Sequence, residues 1–417
     1  MPSPPTLPAK HTNNLWYHLN HSSSVIVFVH GIFSDSRDCW LAKEEGRTTY
    51  WPQLVTEDPR LQYPAIFLGG FYTDFDAGKY DIADCAKELL SGLIVPDSQL
   101  HPTPLEKKRI VFICHSTGGI IVRYMLTRYA DKFKEKEVGL VLLASPSYGA
   151  KLADKLAGLA KFYDNQLGKH LKWGNDLLKD LDDEFKEMLD QKTIPYLVGI
   201  EGSENHFIIH NKYLPDKYVV VERESAGRYF RVEMLPNTDH FSTVKPTDFD
   251  HPAHVLLVKF WMRHYGPSLK QDIQDLLNVS KEDMRARNLP YYTPALLFAL
   301  LHENSFASSV LNSVRQNSAK ALRDRFRHYL DHELPDINPG VFKDFHWYDR
   351  DDVRLAQQIA SEEQVTAITD RILFKAILLS PQSKAVGQIK EFFGADFNKV
   401  MREIEHRRTG AQATPGM

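Results

Sequence analysis

The sequence predicts an α/β domain built on a parallel sheet and carrying a helical insertion, followed by a separate all-α helical-bundle domain. Three observations predict it. Between residues 23 and 266, short apolar runs alternate with longer amphipathic stretches. The runs are SVIVFVHG (24–31), PAIFLGG (64–70), KRIVFICHS (108–116), EVGLVLLAS (137–145) and TIPYLVGIEG (193–202). Residues 151–190 interrupt this alternation with apolar residues at helical spacing. After WMRHYGPS (261–268) no further strand-like run appears.

Each run is rich in Val, Ile, Phe and Leu without strict alternation, as expected of strands buried on both faces. Between them, DIADCAKELLSGL (81–93) and GGIIVRYMLTRYA (118–130) have helical periodicity. Alternating strands and helices fold most simply into a parallel sheet with helices on both faces. Residues 1–22, rich in Pro and Asn, read as irregular, and KYVVVERESA (217–226) as a further strand or an ordered loop.

In the insertion, Leu152, Leu156, Leu159 and Tyr163, then Leu177, Leu178, Leu181, Phe185 and Met188, fall on helical faces. Two roles stay open for it. It packs against the sheet, or it caps a pocket and offers Phe162 and Trp173 to a substrate tail or membrane surface.

The second half reads as a linker over 267–283, a helical domain over 284–408 and a tail over 409–417. It contains a weak repeat: TPALLFALLHENSFASSVL (293–311) and DRILFKAILLSPQSKAVGQI (370–389) lie about 77 positions apart. Helical units that bury each other's faces account for such a period.

At 417 residues the chain exceeds what one core usually organises. A net charge of -3 gives no basic face for nucleic acid. Three cysteines, Cys39, Cys85 and Cys114, are too few and too scattered for a disulfide framework or a zinc site. No run approaches the roughly 18 apolar residues of a membrane span, and the proline-rich start lacks the apolar core of a secretion signal. The expected location is cytoplasmic, with peripheral contact to a membrane surface compatible with an apolar cap.

The chemistry centres on FICHSTGG (112–119). A buried strand ends at Ser116, and Thr117, Gly118 and Gly119 open a helix. The pattern x–His–Ser–x–Gly at a strand-to-helix junction is that of a nucleophile elbow, with Cys114 standing where Gly is usual. A serine nucleophile needs an imidazole in reach, and NTDHFSTVKP (237–246) supplies His240 late in the domain. Glu201, after the strand YLVGI, is the expected carboxylate. Glu204, Asp216, Glu222 and Glu224 remain alternatives because the 202–230 loop could return any of them. Asp239 adjoins His240 in sequence and is sterically a poor partner. HGIFSD (30–35) places the N–H of Ile32, or of Phe33, beside that of Thr117 as an oxyanion hole. His30 and His115 are expected to shape the oxyanion loop and the pocket, and Cys114 to pack. No metal or cofactor is required.

Residues 24–262 resemble the α/β-hydrolase superfamily, within it most nearly the lipase-like group of serine-active-site-containing proteins and GPI inositol-deacylases. The resemblance is carried by HGIFSDS (30–36), TDFDAGKYDIADCAKEL (73–89), CHSTGGIIVR (114–123), LLASPSYGAKLA (142–153) and TDHFSTVKP (238–246). It implies hydrolysis, or less often transfer, of an acyl ester, frequently in a lipid. Residues 284–408 resemble the double repeat of the Clp N-terminal domain found at the front of AAA+ unfoldases. That resemblance rests on the two repeat cores and KEFFGADFNKVMREI (390–404). It implies a bundle that binds a protein or peptide partner. No G-x-x-x-x-G-K-[ST] phosphate loop is present, so the ATPase itself is missing.

The expected activity is a serine hydrolase of carboxylic, above all lipid or phospholipid, esters. The helical domain would regulate it by sensing a protein, as in a bacterial defence effector. The alternatives are a non-catalytic scaffold that binds a lipid or protein, and an acyltransferase using the same residues.

Overall fold

In a computed structural model of the chain, the described residues are 6–32, 34–44, 46–72, 80–145, 176–204, 229–289, 293–333, 342, 347–380 and 384–410. The chain divides into two compact units, Met1–His264 and Tyr265–Met417.

The first unit contains β1 (Leu15–His18), β2 (Ser24–Val29), the hairpin β3 (Leu41–Glu44) and β4 (Arg47–Tyr50), helix α1 (Trp51–Glu57), β5 (Ala65–Gly69) and α2 (Ile82–Ile94). These are followed by β6 (Arg109–His115), α3 (Thr117–Arg128), β7 (Glu137–Leu143), α4 (Asp176–Asp190), β8 (Leu197–Glu204), β9 (Val232–Leu235) and α5 (Pro252–His264). Among the described residues, seven strands form one sheet in the order β1-β5-β2-β6-β7-β8-β9. Strand β1 runs antiparallel to β5, and all other pairs are parallel. Every residue of β2 and β5 is buried, as is every residue of β6 except Arg109. That double-sided burial is the physical cause of their unbroken apolar runs.

Helix α2 begins in a reciprocal capping box: Asp81 accepts from the Asp84 N–H, and Asp84 from the Asp81 N–H. It buries Ile82, Cys85, Ala86, Leu89, Leu90 and Leu93 against the sheet. Helix α4 buries Leu178, Leu181, Phe185 and Met188 in the same core, so this part of the insertion packs on the sheet. Residues 151–175 of the insertion, with Phe162 and Trp173, lie outside the described residues, as does 217–226.

Two expectations are corrected. Residues 1–22 are not irregular throughout, because β1 pairs with β5 and the preceding asparagines brace the sheet edge. Asn14 Nδ2 donates to the Gly70 carbonyl, and Asn14 Oδ1 accepts from the Gly70 N–H. The stretch 267–283 is not a linker, as the second unit shows.

That unit contains β10 (Ser268–Leu269), α6 (Gln271–Ala286), α7 (Thr293–Leu300), α8 (Phe306–Val314), α9 (Ser318–His328), α10 (Asp351–Glu362), β11 (Ala367–Ile368), α11 (Asp370–Leu379), α12 (Lys384–Phe393) and α13 (Phe397–Gly410). Helix α6 occupies most of the expected linker and buries Ile273, Leu277 and Met284. Its polar surface, QDIQDLLNVSKED, disguised one apolar stripe. Among the described residues, helices α6–α9 and α10–α13 form two successive runs, with the starts of α7 and α11 separated by 77 residues, the spacing of the sequence repeat. Ser305 caps the N-terminus of α8 and Thr369 that of α11, and side chains of both runs share one apolar core. Among the described residues, no helix is long and apolar enough to cross a membrane.

Candidate active site

Strand β6 delivers His115 and then Ser116 to the carboxyl end of the sheet, where open α/β sheets place their ligand crevices. Ser116 has φ 50° and ψ −124°, a conformation that L-residues rarely adopt and that typically costs about 1–3 kcal/mol. The surroundings hold it there. Its N–H donates to the Leu143 carbonyl at 3.0 Å, and its carbonyl accepts from the Gly119 N–H at 3.1 Å.

The glycines around it are required by close approach. A Cβ on Gly118 would stand 2.6 Å from the backbone oxygens of Val29 and His30, which cannot move without disrupting β2. A Cβ on Gly31 would stand 3.0 Å from the Ser116 Cβ, so the loop after β2 passes directly beside the serine. Cys114, two residues before Ser116, is fully buried in the core, and burial pushes its thiol pKa up. A serine strained into positive φ between a buried parallel strand and a helix has the backbone geometry of a nucleophile elbow. The first unit is an α/β-hydrolase fold.

The loop after β2 carries His30, Gly31 and Ile32. His30 is buried, stacks on Phe71 and lies 3.1 Å from Asn13 Oδ1, and burial lowers its pKa. The Ile32 N–H donates to Thr117 Oγ1 at 2.9 Å, so in this state it is spent on the helix start. Thr117 is the first residue of α3, and its own N–H therefore has no acceptor within the helix. Phe33 lies outside the described residues.

His240 follows β9 in a tightly braced loop. Asp239 Oδ1 accepts from the N–H groups of Phe241 and Ser242, and Ser242 Oγ accepts from the Asp239 N–H. Asp239 is thus committed to its own loop. The His240 carbonyl accepts from His115 Nε2 at 2.8 Å, and the two imidazoles lie 4.9 Å apart. His240 is therefore held against the residue that immediately precedes Ser116.

The carboxylate beside His240 is that of Glu204. Its Oε1 is 3.6 Å from His240 Nδ1, and both side chains are buried. Glu201 is not the partner expected of it. Its Oε1 accepts from the N–H groups of Tyr229 at 2.9 Å and Phe230 at 3.1 Å, tying β8 to the entry of β9. Strand geometry explains the exchange, since positions three apart project to opposite faces. The sequence predicts a strand ending at YLVGI, with a loop from 202, yet β8 continues through Glu204. Gly202 permits this, because a Cβ there would stand 2.7 Å from Leu143 and 2.9 Å from Leu235 and Leu256. Asp216, Glu222 and Glu224 lie outside the described residues.

One contact had no sequence signal. Cys39, on the turn that follows the β2 loop, places its Sγ 3.5 Å from His115 Nδ1. Among the described residues, no three His, Cys, Asp or Glu side chains are arranged to hold a metal ion.

Residues 20–162 match a family model described as "Putative serine esterase (DUF676)". The chain is 24% identical over 201 residues to Protein SERAC1 of Homo sapiens, covering 42% of this chain and 30% of that protein. It is 23% identical to the Mus musculus protein over the same span. The chain thus spans less than a third of the length of these relatives. Among solved structures, phospholipase PlaB from Legionella pneumophila in complex with thio-NAD aligns with a TM-score of 0.45 at 16% identity, covering 64% of each chain. The mature lipase BlEst2 of Bacillus licheniformis aligns with a TM-score of 0.38 at 16% identity, covering 60% of this chain and 98% of that one.

Proposed function

We propose that the first unit is a serine esterase in which Ser116 is the nucleophile, His240 the general base and Glu204 the carboxylate that orients it. The observation that carries this reading is Ser116 at positive φ on the elbow, with the buried His240–Glu204 pair held beside it through His115. Ser116 Oγ attacks the ester carbonyl while His240 takes its proton. His240 then returns the proton to the departing alkoxide. Water attacks the acyl-serine by the same route and releases the acid. The Thr117 N–H stabilises the oxyanion, joined by that of Ile32 once it leaves Thr117 Oγ1. The family match over residues 20–162 supports the esterase class.

Lipid or other long-chain acyl esters are the proposed substrates. Phe241 supports this: it is 42% exposed next to His240, with its ring 5.4 Å from the imidazole and edge-on to it. An exposed aromatic next to the base gives an acyl chain an apolar surface to pack on. Hydrolysis of nitrophenyl esters from acetate to palmitate tests this. The reading predicts a preference for longer acyl chains that Phe241→Ser diminishes. A preference for acetate, or indifference to Phe241→Ser, contradicts it.

The helical second unit is proposed to read a protein partner and license the esterase, following its Clp N-terminal-domain-like repeat. Val279 and Leu379 are exposed apolar side chains on it, 70% and 49% accessible. Val279→Asp with Leu379→Asp should leave hydrolysis of a soluble ester unchanged and alter growth inhibition when the protein is expressed in cells. Equal growth with and without the substitutions would remove the reason for the assignment.

A further inference from the structure

Resting on the esterase reading above, we propose that His115 is a positioning residue that locks the His240 loop in place, and that Cys39 determines which imidazole nitrogen of His115 carries the proton. Three segments of the candidate site meet at this one buried ring. Cys39 belongs to the turn after β2, where its N–H donates to the Asp35 carbonyl. His115 ends β6, and His240 lies in the loop after β9.

The direction of each hydrogen bond follows from chemistry. The His240 carbonyl oxygen can only accept, so His115 Nε2 at 2.8 Å must donate and must hold a proton. His115 is buried, and burial, with the neighbouring His240 next, holds its pKa well below the ordinary imidazole value. The ring is therefore neutral, and Nδ1 is left as an acceptor. Cys39 Sγ, 3.5 Å away, supplies the complementary donor. Burial pushes the Cys39 thiol up to about 12, so it keeps the proton it needs to donate. The chain runs from the Cys39 S–H to His115 Nδ1, then from His115 Nε2–H to the His240 carbonyl.

The consequence is mechanical. A base must sit within hydrogen-bond reach of its nucleophile, and a displacement near 1 Å can cost about a hundredfold in rate. Among the described residues, His240 Nδ1 meets only the Glu204 carboxylate, at a loose 3.6 Å, and the hydrogen bond to its backbone carbonyl supplies a further positional restraint. His115 is attached to the nucleophile's own peptide unit. Fixing the base through it makes the Ser116–His240 spacing independent of more distant movements of the β9 loop.

Steady-state kinetics on a nitrophenyl ester, with full-length protein, tests the assignment. His115→Leu removes the donor and should lower kcat by about ten- to a hundredfold with KM within about twofold. His115→Gln carries an N–H at similar reach and should recover most of the loss. A His115→Leu variant with wild-type kcat overturns the assignment, as does a His115→Gln variant as impaired as His115→Leu. Should His115→Leu fail to fold, Cys39→Ala reads the same link from its outer end. It should lower kcat by about three- to tenfold, with Cys39→Ser restoring it. Equal kcat for Cys39→Ala and wild type then overturns the proposal. Ser116→Ala separates this from the parent reading. Full activity in Ser116→Ala defeats both, whereas an inert Ser116→Ala beside a fully active His115→Leu defeats only the positioning role.

Discussion

His240 Nδ1 stands 3.6 Å from Glu204 Oε1, and among the described residues neither the imidazole nitrogen nor either carboxylate oxygen has a hydrogen-bond partner. Two buried polar groups left without other partners are expensive unless they serve each other. Catalytic hydrogen bonds are commonly long before substrate binds and tighten in the complex. This is the arrangement the proposed triad requires of its base and its orienting carboxylate.

Glu204 and Glu201 should separate cleanly in kinetics and stability. Glu204→Gln is expected to lower kcat by about a hundredfold or more with little change in folding. Glu201→Ala removes the acceptor of two backbone N–H groups and should cost about 1–3 kcal/mol in stability. It should leave kcat within a few-fold. Ester hydrolysis and denaturant unfolding of both variants check this, and the opposite assignment would move the acid back to Glu201.

Acidification should destabilise the first unit before its carboxylates titrate. His30, His115 and His251 all have pKa values lowered chiefly by burial. The unfolded chain then binds more protons than the folded one, so stability rises with pH through this range. Their contribution is complete above the unfolded imidazole value of about 6.5 and is lost progressively as pH falls below it. Urea unfolding between pH 7.5 and 5 should show the decline, and His115→Gln should flatten it. An unchanged slope in that variant would place the effect elsewhere.

The thiols should be chemically silent in the folded protein. Cys39, Cys85 and Cys114 are all buried, and burial raises the pKa of each. Because the thiolate is the reactive form, iodoacetamide should leave esterase activity intact and label the cysteines only after denaturation. Rapid inactivation of the native protein by iodoacetamide would contradict this.

Gly118→Ala should damage the elbow itself. The added methyl would press on the carbonyl oxygens of Val29 and His30 at 2.6 Å, and backbone at the end of β2 has no free direction in which to yield. Overpacking of this kind typically costs about 1–3 kcal/mol. Activity should fall further than stability, because relieving the clash displaces Thr117 and its N–H. Calorimetry paired with kinetics tests it, and an active Gly118→Ala would mean that the loop after β2 can retreat.

Most of the sheet was readable because burial on both faces writes itself into composition: 24–31, 64–70, 108–116 and 137–145 each contain the strand they suggested. The elbow was readable because its glycines answer to sterics that only a few residues satisfy. Glu204 was readable only as an alternative to Glu201, since the run YLVGI marks the strand but not its continuation to Glu204, which rests on pairing with distant β7 and β9. Strand β1 is four residues long, and its pairing with β5 depends on a partner 50 positions away in sequence. The Cys39–His115 contact joins positions 76 apart and has no local pattern at all. Local periodicity reports burial; it does not report which distant loops meet.

The central claim is that Ser116 is an activated nucleophile, and covalent labelling tests it most directly. A fluorophosphonate probe incubated with the full-length protein, followed by peptide mass spectrometry, should modify Ser116 stoichiometrically. Labelling should fall by at least about a hundredfold in His240→Ala, because the hydroxyl is unreactive without its base. Absence of modification at Ser116, or labelling that His240→Ala leaves unchanged, would contradict the account.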